Sequence, residues 1–381
     1  MDLQGTFDAR LEPVAEAFLD GFEAGRDVGA SVAAYVGGDL VLNLWGGSVD
    51  RKRTEPWRED TLVCMFSITK AMTAICMLQA ADRALLDLDR PVADYWPAFA
   101  ARGKAAISTR HLMSHRAGLI GFHEPVGRDI YYNWQEMVDA LANETPWWEP
   151  NSSHGYHART FGYLLGEVLR RVTGIGVGRW FEREIANPLS LDFTIGVPEE
   201  DLARCAQIFP ARIRPGEEKL WPESMGQMMA DFYDTSTPTG AAFQNPALGP
   251  GYMNSDNFRL AEMPALNGHG TARSVAELYA KLKQLLSRDI LNQATCTLSL
   301  GPDRVLKSLT RFGLGFQIFH EDAPIGVRAG SFGHSGAGGS MAFYDPEREI
   351  AFCFAMNQMQ EGVVTGGTSA MKIANALYRC L

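Results

Sequence analysis

The chain has 381 residues and a formal net charge of -10, with 46% hydrophobic and 21% charged residues. This balance excludes a disordered or fibrous chain, and the length predicts one large domain with an insertion or two closely packed domains. The negative charge disfavours binding to nucleic acid or to an anionic membrane surface, so the expected partner is a neutral or apolar small molecule.

The N-terminal segment carries Asp2, Asp8 and Glu12 and has no basic region before an apolar run, which is unlike a secretory signal. No apolar run approaches membrane-spanning length. The cysteines are scattered without paired spacing, as reduced core thiols in a cytoplasmic protein would be. They are Cys64, Cys76, Cys205, Cys296, Cys353 and Cys380.

Strand patterns cluster at both ends of the chain. After a helical periodicity over residues 8–24, "ASVAAYVGGDLVLNLWGG" predicts a hairpin that turns at Gly37, Gly38 and Asp39. Near the other end, "GSMAFYDPEREIAFCFAMN" predicts a second hairpin with Asp345-Pro346 as its turn, and "GGTSAMKIANALYRC" predicts a final helix.

The middle of the chain, from about residue 80 to 270, is richer in helical patterns such as "TFGYLLGEVLRRVTG". We therefore predict an α/β (α+β) fold in which an antiparallel sheet from both termini is flanked by helices. Residues 1–80 and 270–381 would form this α/β domain, and residues 81–269 a mostly helical inserted domain that walls one side of a cleft.

The segment "CMFSITKAMTAICMLQAADR", residues 64–83, contains a Ser-x-x-Lys motif at the start of the most apolar predicted helix. Ser67 and Lys70 are one helical turn apart, so the amine can reach the hydroxyl. A chain of this length contains roughly one such spacing by chance. From this stretch alone, a helix cap and a solvated lysine is the favoured interpretation.

The residues after Lys70 shift that balance, because Ala71 to Met77 are nearly all apolar and predict a helix buried on every side. A buried lysine needs partners or a lowered pKa, which favours a functional role.

Two more motifs follow along the chain. Tyr156 precedes the helical pattern in "HGYHARTFGYLLGEVLRRVTG", and "GSFGHSGAGGSMAFYD", residues 330–345, is a glycine-dense approach to a strand. Glycine there lets the backbone come close to a ligand.

In this order, the three motifs resemble those of the serine β-lactamase-like superfamily, and more narrowly of family VIII carboxylesterases, which share the class C β-lactamase fold. The stretches "LLDLDRPVADYWP", "STRHLMSHRAGL" and "NGHGTARSVAELYAKL" carry the resemblance over nearly the whole chain. It implies a β-lactamase/transpeptidase-like fold, with Ser67 as nucleophile and Lys70 and Tyr156 as its partners.

The chain departs from the family pattern at two positions. Ala158 stands where Tyr-x-Asn has its asparagine, and His334-Ser335-Gly336 stands where Lys-Thr-Gly begins with lysine. The resemblance implies that His334, Ser335 and Gly336 bind substrate. Because the missing side chains help hold a β-lactam, an ester without a carboxylate is the favoured substrate.

The resemblance also implies the chemistry. A Lys70 ammonium beside Tyr156 would favour a phenolate that accepts the Ser67 proton, although a sequence does not assign the proton within a coupled pair. The backbone N–H groups of Ser67 and Ala337 would form the oxyanion hole. No cofactor is expected.

Three other patterns are interpreted as structural. The run 333–337 approaches Gly-x-Ser-x-Gly, but it ends in alanine and leads into a strand, so Ser335 is a binding or structural residue. His111 and His115 have a metal-compatible spacing without a third ligand. For one last set of aromatic and methionine residues, a role in ordinary packing is favoured over a role in lining an acyl pocket. That set is Trp147, Trp148, Met225, Met228 and Met229.

The sequence thus predicts a cytoplasmic serine carboxylesterase that acts on short-chain acyl esters through an acyl-enzyme, and it leaves the oligomeric state open. A β-lactamase, D-amino-acid peptidase or other penicillin-binding hydrolase is an alternative, with His334 or Arg273 as carboxylate anchor. A penicillin-binding sensor domain that acylates once is an alternative of another class.

Overall fold

The computed structural model describes residues 3–211, 223–322, 324–360 and 366–381. Its strands are, in chain order, β1 (Gln4–Phe7), β2 (Gly29–Val36), β3 (Asp39–Gly47), β4 (Val63–Cys64), β5 (Phe193–Ile195), β6 (Gly268–Gly270), β7 (Ser299–Pro302), β8 (Leu309–Phe312), β9 (Gln317–Ile318), β10 (Phe332–Ser335), β11 (Met341–Asp345) and β12 (Ile350–Met356).

The α-helices within the same ranges are α1 (Glu12–Glu23), α2 (Ile68–Asp82), α3 (Val92–Tyr95), α4 (Thr109–Met113), α5 (Trp134–Asn143), α6 (Thr160–Thr173), α7 (Val177–Phe181), α8 (Asn187–Leu189), α9 (Glu223–Asp231), α10 (Pro238–Gln244), α11 (Asp256–Leu260), α12 (Ala272–Ala280), α13 (Leu282–Leu285), α14 (Arg288–Thr295) and α15 (Thr368–Cys380). A π-helix spans Glu182–Ala186. Short 3-10 turns lie at Ala9–Leu11, Pro97–Ala100, Arg128–Tyr132, Glu199–Arg204 and Tyr252–Asn254.

The main sheet joins the two ends of the chain, as the sequence predicts. In the described part of the chain it has nine strands in the order β1-β3-β2-β12-β11-β10-β9-β8-β7. The N-terminal and C-terminal parts of the chain meet where β2 pairs antiparallel with β12, with Ala33 opposite Cys353. Both predicted hairpins are confirmed as β2–β3 and β11–β12. The fold is therefore a mixed α/β fold built on an antiparallel sheet.

Side-chain alternation divides the sheet into two faces. On β12, Phe352 and Phe354 enter one core with α1 and α15, while Cys353 faces the larger core on the other side. Helix α12 covers β2 and β12 on that larger side, and α2 packs against β10 and α6. The layered helix–sheet–helix arrangement buries α2 at the centre of the molecule.

A second sheet, β4-β6-β5, brings short strands from three parts of the chain together. β4 leads directly into α2, and Met65 N–H donates to the Gly268 carbonyl at 2.9 Å. This sheet fixes the start of α2. The predicted domain boundary at residues 269/270 lies inside β6, and the division into two domains stays a prediction.

All six cysteines are free, and four of them are buried as predicted. Cys296 is exposed and Cys380 is partly exposed, so the expectation of core thiols is wrong for these two, which lie at or beside helix C-termini. In the described ranges, none of the helices has the length and apolar character needed to cross a membrane.

Candidate active site

Ser67 lies at the first turn of α2, directly after the strained residue Phe66. Phe66 is buried and has a φ of 47°, a left-handed conformation that costs a non-glycine residue free energy and is common at functional sites. Ser67 is partly exposed between buried neighbours. Among the described residues its side chain caps no backbone N–H of α2. The interpretation of Ser67 as a helix cap is therefore wrong.

Lys70 is fully buried, as the sequence predicts, and its Nζ lies 3.1 Å from Ser67 Oγ. The same Nζ donates to the carbonyls of Ala158, at 2.7 Å, and Ala265, at 2.9 Å. Burial lowers the pKa of Lys70 well below its usual value, and the charge of Arg159 lowers it further. The interpretation of Lys70 as a solvated surface residue is wrong.

The three oxygen contacts of Lys70 Nζ can be made by an ammonium or by a neutral amine, and burial favours the neutral amine. The two carbonyls can only accept, so they take both hydrogens of an –NH₂ group. The remaining position around Nζ faces Ser67 Oγ, where the nitrogen lone pair can accept the hydroxyl proton. A base within hydrogen-bond reach of a serine hydroxyl is the arrangement needed for nucleophilic catalysis.

Tyr156 completes a compact group with these two residues. It is buried, Lys70 Nζ lies 4.7 Å from its ring centroid, and its hydroxyl is hydrogen-bonded to Ser67. Burial raises the pKa of Tyr156 above its ordinary value, while the Ser67 hydrogen bond opposes that shift. A neutral tyrosine beside a neutral lysine is thus favoured over the phenolate–ammonium pair considered from sequence.

Two glycines allow the backbone approaches that assemble the site. A Cβ on Gly336 would lie 2.4 Å from the Met65 carbonyl oxygen, so the β10–β11 turn sits against the residues before Ser67. A Cβ on Gly162 would lie 2.5 Å from the Pro264 carbonyl carbon, which keeps α6 against the loop that supplies the Ala265 carbonyl to Lys70. A larger residue at Gly336 would push the β10–β11 turn away from Met65, and one at Gly162 would push α6 away from the loop at Pro264.

The predicted oxyanion donors, the N–H groups of Ser67 and Ala337, flank this close contact. Ser67 directly precedes α2, and Ala337 follows Gly336 in the β10–β11 turn. Within the described ranges neither N–H has a hydrogen-bond acceptor, so both can donate to a substrate oxygen.

His334, Ser335 and Gly336 lie at the end of β10, and Gly333–Ala337 does not form a strand–turn–helix elbow. His334 is buried, its Nδ1 lies 2.7 Å from the Ser335 carbonyl, and burial followed by the charge of Lys70 lowers its pKa to about 3. Ser335 N–H and Oγ donate to Gln317 Oε1 at 2.7 and 3.0 Å. His334 is therefore neutral near pH 7.

The two spaced histidines of the sequence analysis have separate surroundings. His111 Nδ1 accepts the Ser108 N–H at 3.2 Å in the capping box of α4. The His115 ring is buried 5.1 Å from the Tyr156 ring and accepts the His157 N–H at 3.1 Å. His115 thus supports the wall behind Tyr156, a contact that no sequence pattern indicated.

Arg159 is the cation that the sequence analysis missed. It is half-buried, and its Nη1 donates to the Tyr131 hydroxyl at 2.8 Å and the Pro246 carbonyl at 2.6 Å. Its charge reaches Lys70. Arg273, the cation named from sequence, instead bonds to Glu59 at 3.3 Å with 48% of its side chain exposed.

Tyr156 and Ala158 belong to one apolar cluster of buried side chains. It contains Trp148, with Trp147 partly buried against it, and Met228 of α9. Met225 and Met229 pack against the same cluster. These residues pack together as expected from the sequence. Because they pack beside Tyr156, they also form an apolar surface next to the candidate site.

The whole chain matches known proteins. A family model described as Beta-lactamase matches residues 14–375. Esterase/beta-lactamase LipL of Mycobacterium tuberculosis is 33% identical over 378 residues, covering 94% of this chain and 84% of LipL. The crystal structure of a family VIII carboxylesterase matches with a TM-score of 0.90, 33% identity and 100% of both chains covered. A penicillin-binding protein homolog from Caulobacter crescentus matches with a TM-score of 0.91 and 33% identity, again over 100% of both chains.

Proposed function

The chain belongs to the Beta-lactamase family of serine hydrolases, and from that premise we propose that it is a family VIII-like carboxylesterase. It would hydrolyse short-chain acyl esters through a covalent acyl-enzyme on Ser67. The observation that carries the proposal is the 3.1 Å contact between Ser67 Oγ and the Nζ of the fully buried Lys70. Similarity to an esterase/beta-lactamase and to a family VIII carboxylesterase supports it.

Acylation begins with proton transfer from Ser67 to Lys70. Neutral Lys70 accepts the hydroxyl proton through its lone pair while Ser67 Oγ forms a bond to the ester carbonyl carbon. The carbonyl oxygen becomes an oxyanion, which the N–H groups of Ser67 and Ala337 stabilise. Lys70 is then an ammonium whose three hydrogens are directed at Ala158, Ala265 and Ser67.

Collapse of the tetrahedral intermediate breaks the bond to the leaving alcohol. Tyr156 donates its hydroxyl proton to the departing alkoxide and regains a proton from the Lys70 ammonium, so the pair returns to its neutral state. Water then attacks the acyl-enzyme and Lys70 takes the water proton. Tyr156 returns a proton to Ser67 Oγ as the acid leaves and regains one from the Lys70 ammonium, which restores the neutral pair. No co-reactant besides water is consumed.

The surroundings favour a neutral ester over a substrate with a carboxylate. Ala158 has no side-chain amide, and His334 is uncharged because burial lowers its pKa to about 3. The apolar cluster around Trp148 and Met228 offers a surface for an acyl chain beside Tyr156.

Hydrolysis of a β-lactam or a D-amino-acid peptide is the second candidate, and Arg159 is the observation that favours it. Arg159 brings a positive charge close enough to Lys70 to lower that residue's pKa. A guanidinium next to the site could pair with a substrate carboxylate. Similarity to a penicillin-binding protein homolog is in line with this candidate. A single-turnover sensor domain is the candidate of another class, and it would give a burst without a steady state.

The test compares kcat/KM for p-nitrophenyl butyrate and nitrocefin on one preparation at about pH 7.5, near the working range of a neutral base. We expect the ester to exceed nitrocefin by ~10²-fold or more, because one charged anchor is worth about 3 kcal/mol. Comparable values would favour the β-lactam candidate. In that case Arg159→Gln should lower nitrocefin turnover more than ester turnover.

A further inference from the structure

We infer that Asp303 is a positioning residue that fixes Tyr156 for proton transfer to the leaving alcohol. The inference rests on the proposed function, because it assigns a role within that reaction. Asp303 is 147 residues from Tyr156 in the chain and directly follows β7.

The carboxylate of Asp303 holds the backbone at Tyr156. Asp303 is 2% exposed, and its Oδ1 accepts the Tyr156 N–H at 3.1 Å. The same oxygen accepts the N–H groups of Val305, at 2.8 Å, and Leu306, at 2.9 Å. One oxygen thus joins the β7–β8 connection to the residue whose hydroxyl is bonded to Ser67.

The second carboxylate oxygen extends this contact to the residues before Tyr156. Thr310 Oγ1 donates to Asp303 Oδ2 at 3.2 Å and lies 2.8 Å from His154 Nε2. The Arg304 N–H donates to the His154 carbonyl at 3.2 Å. Residues 154–156 are therefore hydrogen-bonded to the β7–β8 hairpin at three points, through Asp303, Arg304 and Thr310.

The same hairpin also fixes the ring of Tyr156. Phe312 of β8 stacks on it with an interplanar angle of 13° and a centroid distance of 6.1 Å, while His115 lies 5.1 Å away. We expect removal of the carboxylate to loosen the backbone at Tyr156 and to leave Ser67, Lys70 and the oxyanion donors in place. A displacement of about 1 Å at a reacting group can cost ~10²-fold in rate.

The experiment uses the dependence of the rate on the leaving group. Ethyl butyrate releases an alkoxide that needs the Tyr156 proton, whereas p-nitrophenolate is a stable anion that leaves without one. Asp303→Ala should lower kcat/KM for ethyl butyrate by ~10- to 100-fold and affect p-nitrophenyl butyrate by less than about 3-fold. Asp303→Asn keeps an acceptor oxygen and should recover most of the lost activity.

Asp345 supplies the matched control. It is 1% exposed in the β11–β12 hairpin, its Oδ1 accepts two backbone N–H groups at 3.0 and 3.2 Å, and its Oδ2 accepts the Tyr378 hydroxyl at 2.7 Å. Asp345→Ala should lower the melting temperature like Asp303→Ala and leave the ratio of the two ester rates unchanged.

The Tyr156→Phe background separates the outcomes. If Asp303 acts through Tyr156, Asp303→Ala should cause no further loss on ethyl butyrate there. Multiplying losses, or equal effects of Asp303→Ala on both esters, would overturn the inference. If Asp303→Ala does not fold, Thr310→Val is tested instead, because it removes one hydrogen bond to the carboxylate. It should lower kcat/KM for ethyl butyrate more than for p-nitrophenyl butyrate, by a smaller factor than Asp303→Ala. Full activity of Thr310→Val on ethyl butyrate would overturn the inference. If Tyr156→Phe itself leaves ethyl butyrate turnover intact, the proposed reaction fails instead.

Discussion

Replacing Ser67 by alanine is predicted to remove ester turnover while leaving the free energy of unfolding almost unchanged. Loss of a serine that caps a helix costs about 1 kcal/mol. Within the described residues the Ser67 side chain caps no N–H of α2, and it instead contacts Lys70 and Tyr156. We therefore expect a change in stability within about 0.5 kcal/mol.

The expected loss of activity is much larger. Without Oγ there is no acyl-enzyme, and loss of a nucleophile that acts as a unit with its base costs ~10³-fold or more. That factor corresponds to about 4 kcal/mol of transition-state stabilisation. The separation between a large effect on rate and a small effect on stability is the signature of a functional serine.

The assay pairs urea unfolding with ethyl butyrate hydrolysis, and Ser108→Ala is the control. Ser108 does cap a helix, since its side chain accepts the His111 N–H of α4. That variant should lose about 1 kcal/mol of stability and keep its activity. A folded Ser67→Ala protein with near-normal turnover would refute the reasoning and make Ser335 the next residue to test.

Three further predictions concern the neighbours of Ser67. Lys70→Ala and Tyr156→Phe should each lower ethyl butyrate turnover nearly as much as Ser67→Ala does. The double variant should be hardly less active than either single variant, because the two residues share one proton-transfer route; losses that multiply would contradict this. The value of kcat/KM should decrease as the pH is lowered through the lowered pKa of Lys70, since only the neutral amine is a base. As the pH is raised, kcat/KM should reach a plateau well below the usual pKa of lysine; activity that still rises near pH 10.5 would contradict this. Ser335→Ala should lower kcat/KM far less than Ser67→Ala, because the hydroxyl that lies 3.1 Å from Lys70 Nζ is that of Ser67, while Ser335 Oγ donates to Gln317 in β9; a loss like that of Ser67→Ala would reverse the roles of the two serines.

Local signals predicted much of the fold. The β2–β3 and β11–β12 hairpins follow from turn residues between β-prone runs, and α1, α6 and α15 follow from helical periodicity. The burial of Lys70 follows from the apolar residues around it. Strands β4, β5 and β6 were not predicted, because two or three residues carry no periodicity and their pairing partners are distant in the chain.

The site was less predictable because its contacts are nonlocal. The spacing of Ser67 and Lys70 is local, and the resemblance supplied Tyr156, but Asp303 has no pattern that connects it to Tyr156. Likewise, no sequence pattern indicates that Arg159, rather than another arginine, lies near Lys70. The burial of Tyr156 is visible only in three dimensions, and together with the burial of Lys70 it favours the neutral forms of both side chains.

The central claim, a covalent acyl-enzyme on Ser67, is tested most directly by intact-mass measurement of the protein mixed rapidly with p-nitrophenyl butyrate. We predict a mass increase of one butyryl group within the first turnover, lost again as the ester is consumed, and its location by peptide mapping on Ser67. Ser67→Ala should show no adduct. A butyryl group on Ser335 or another residue, or full turnover by Ser67→Ala with no adduct at any time, would contradict the account.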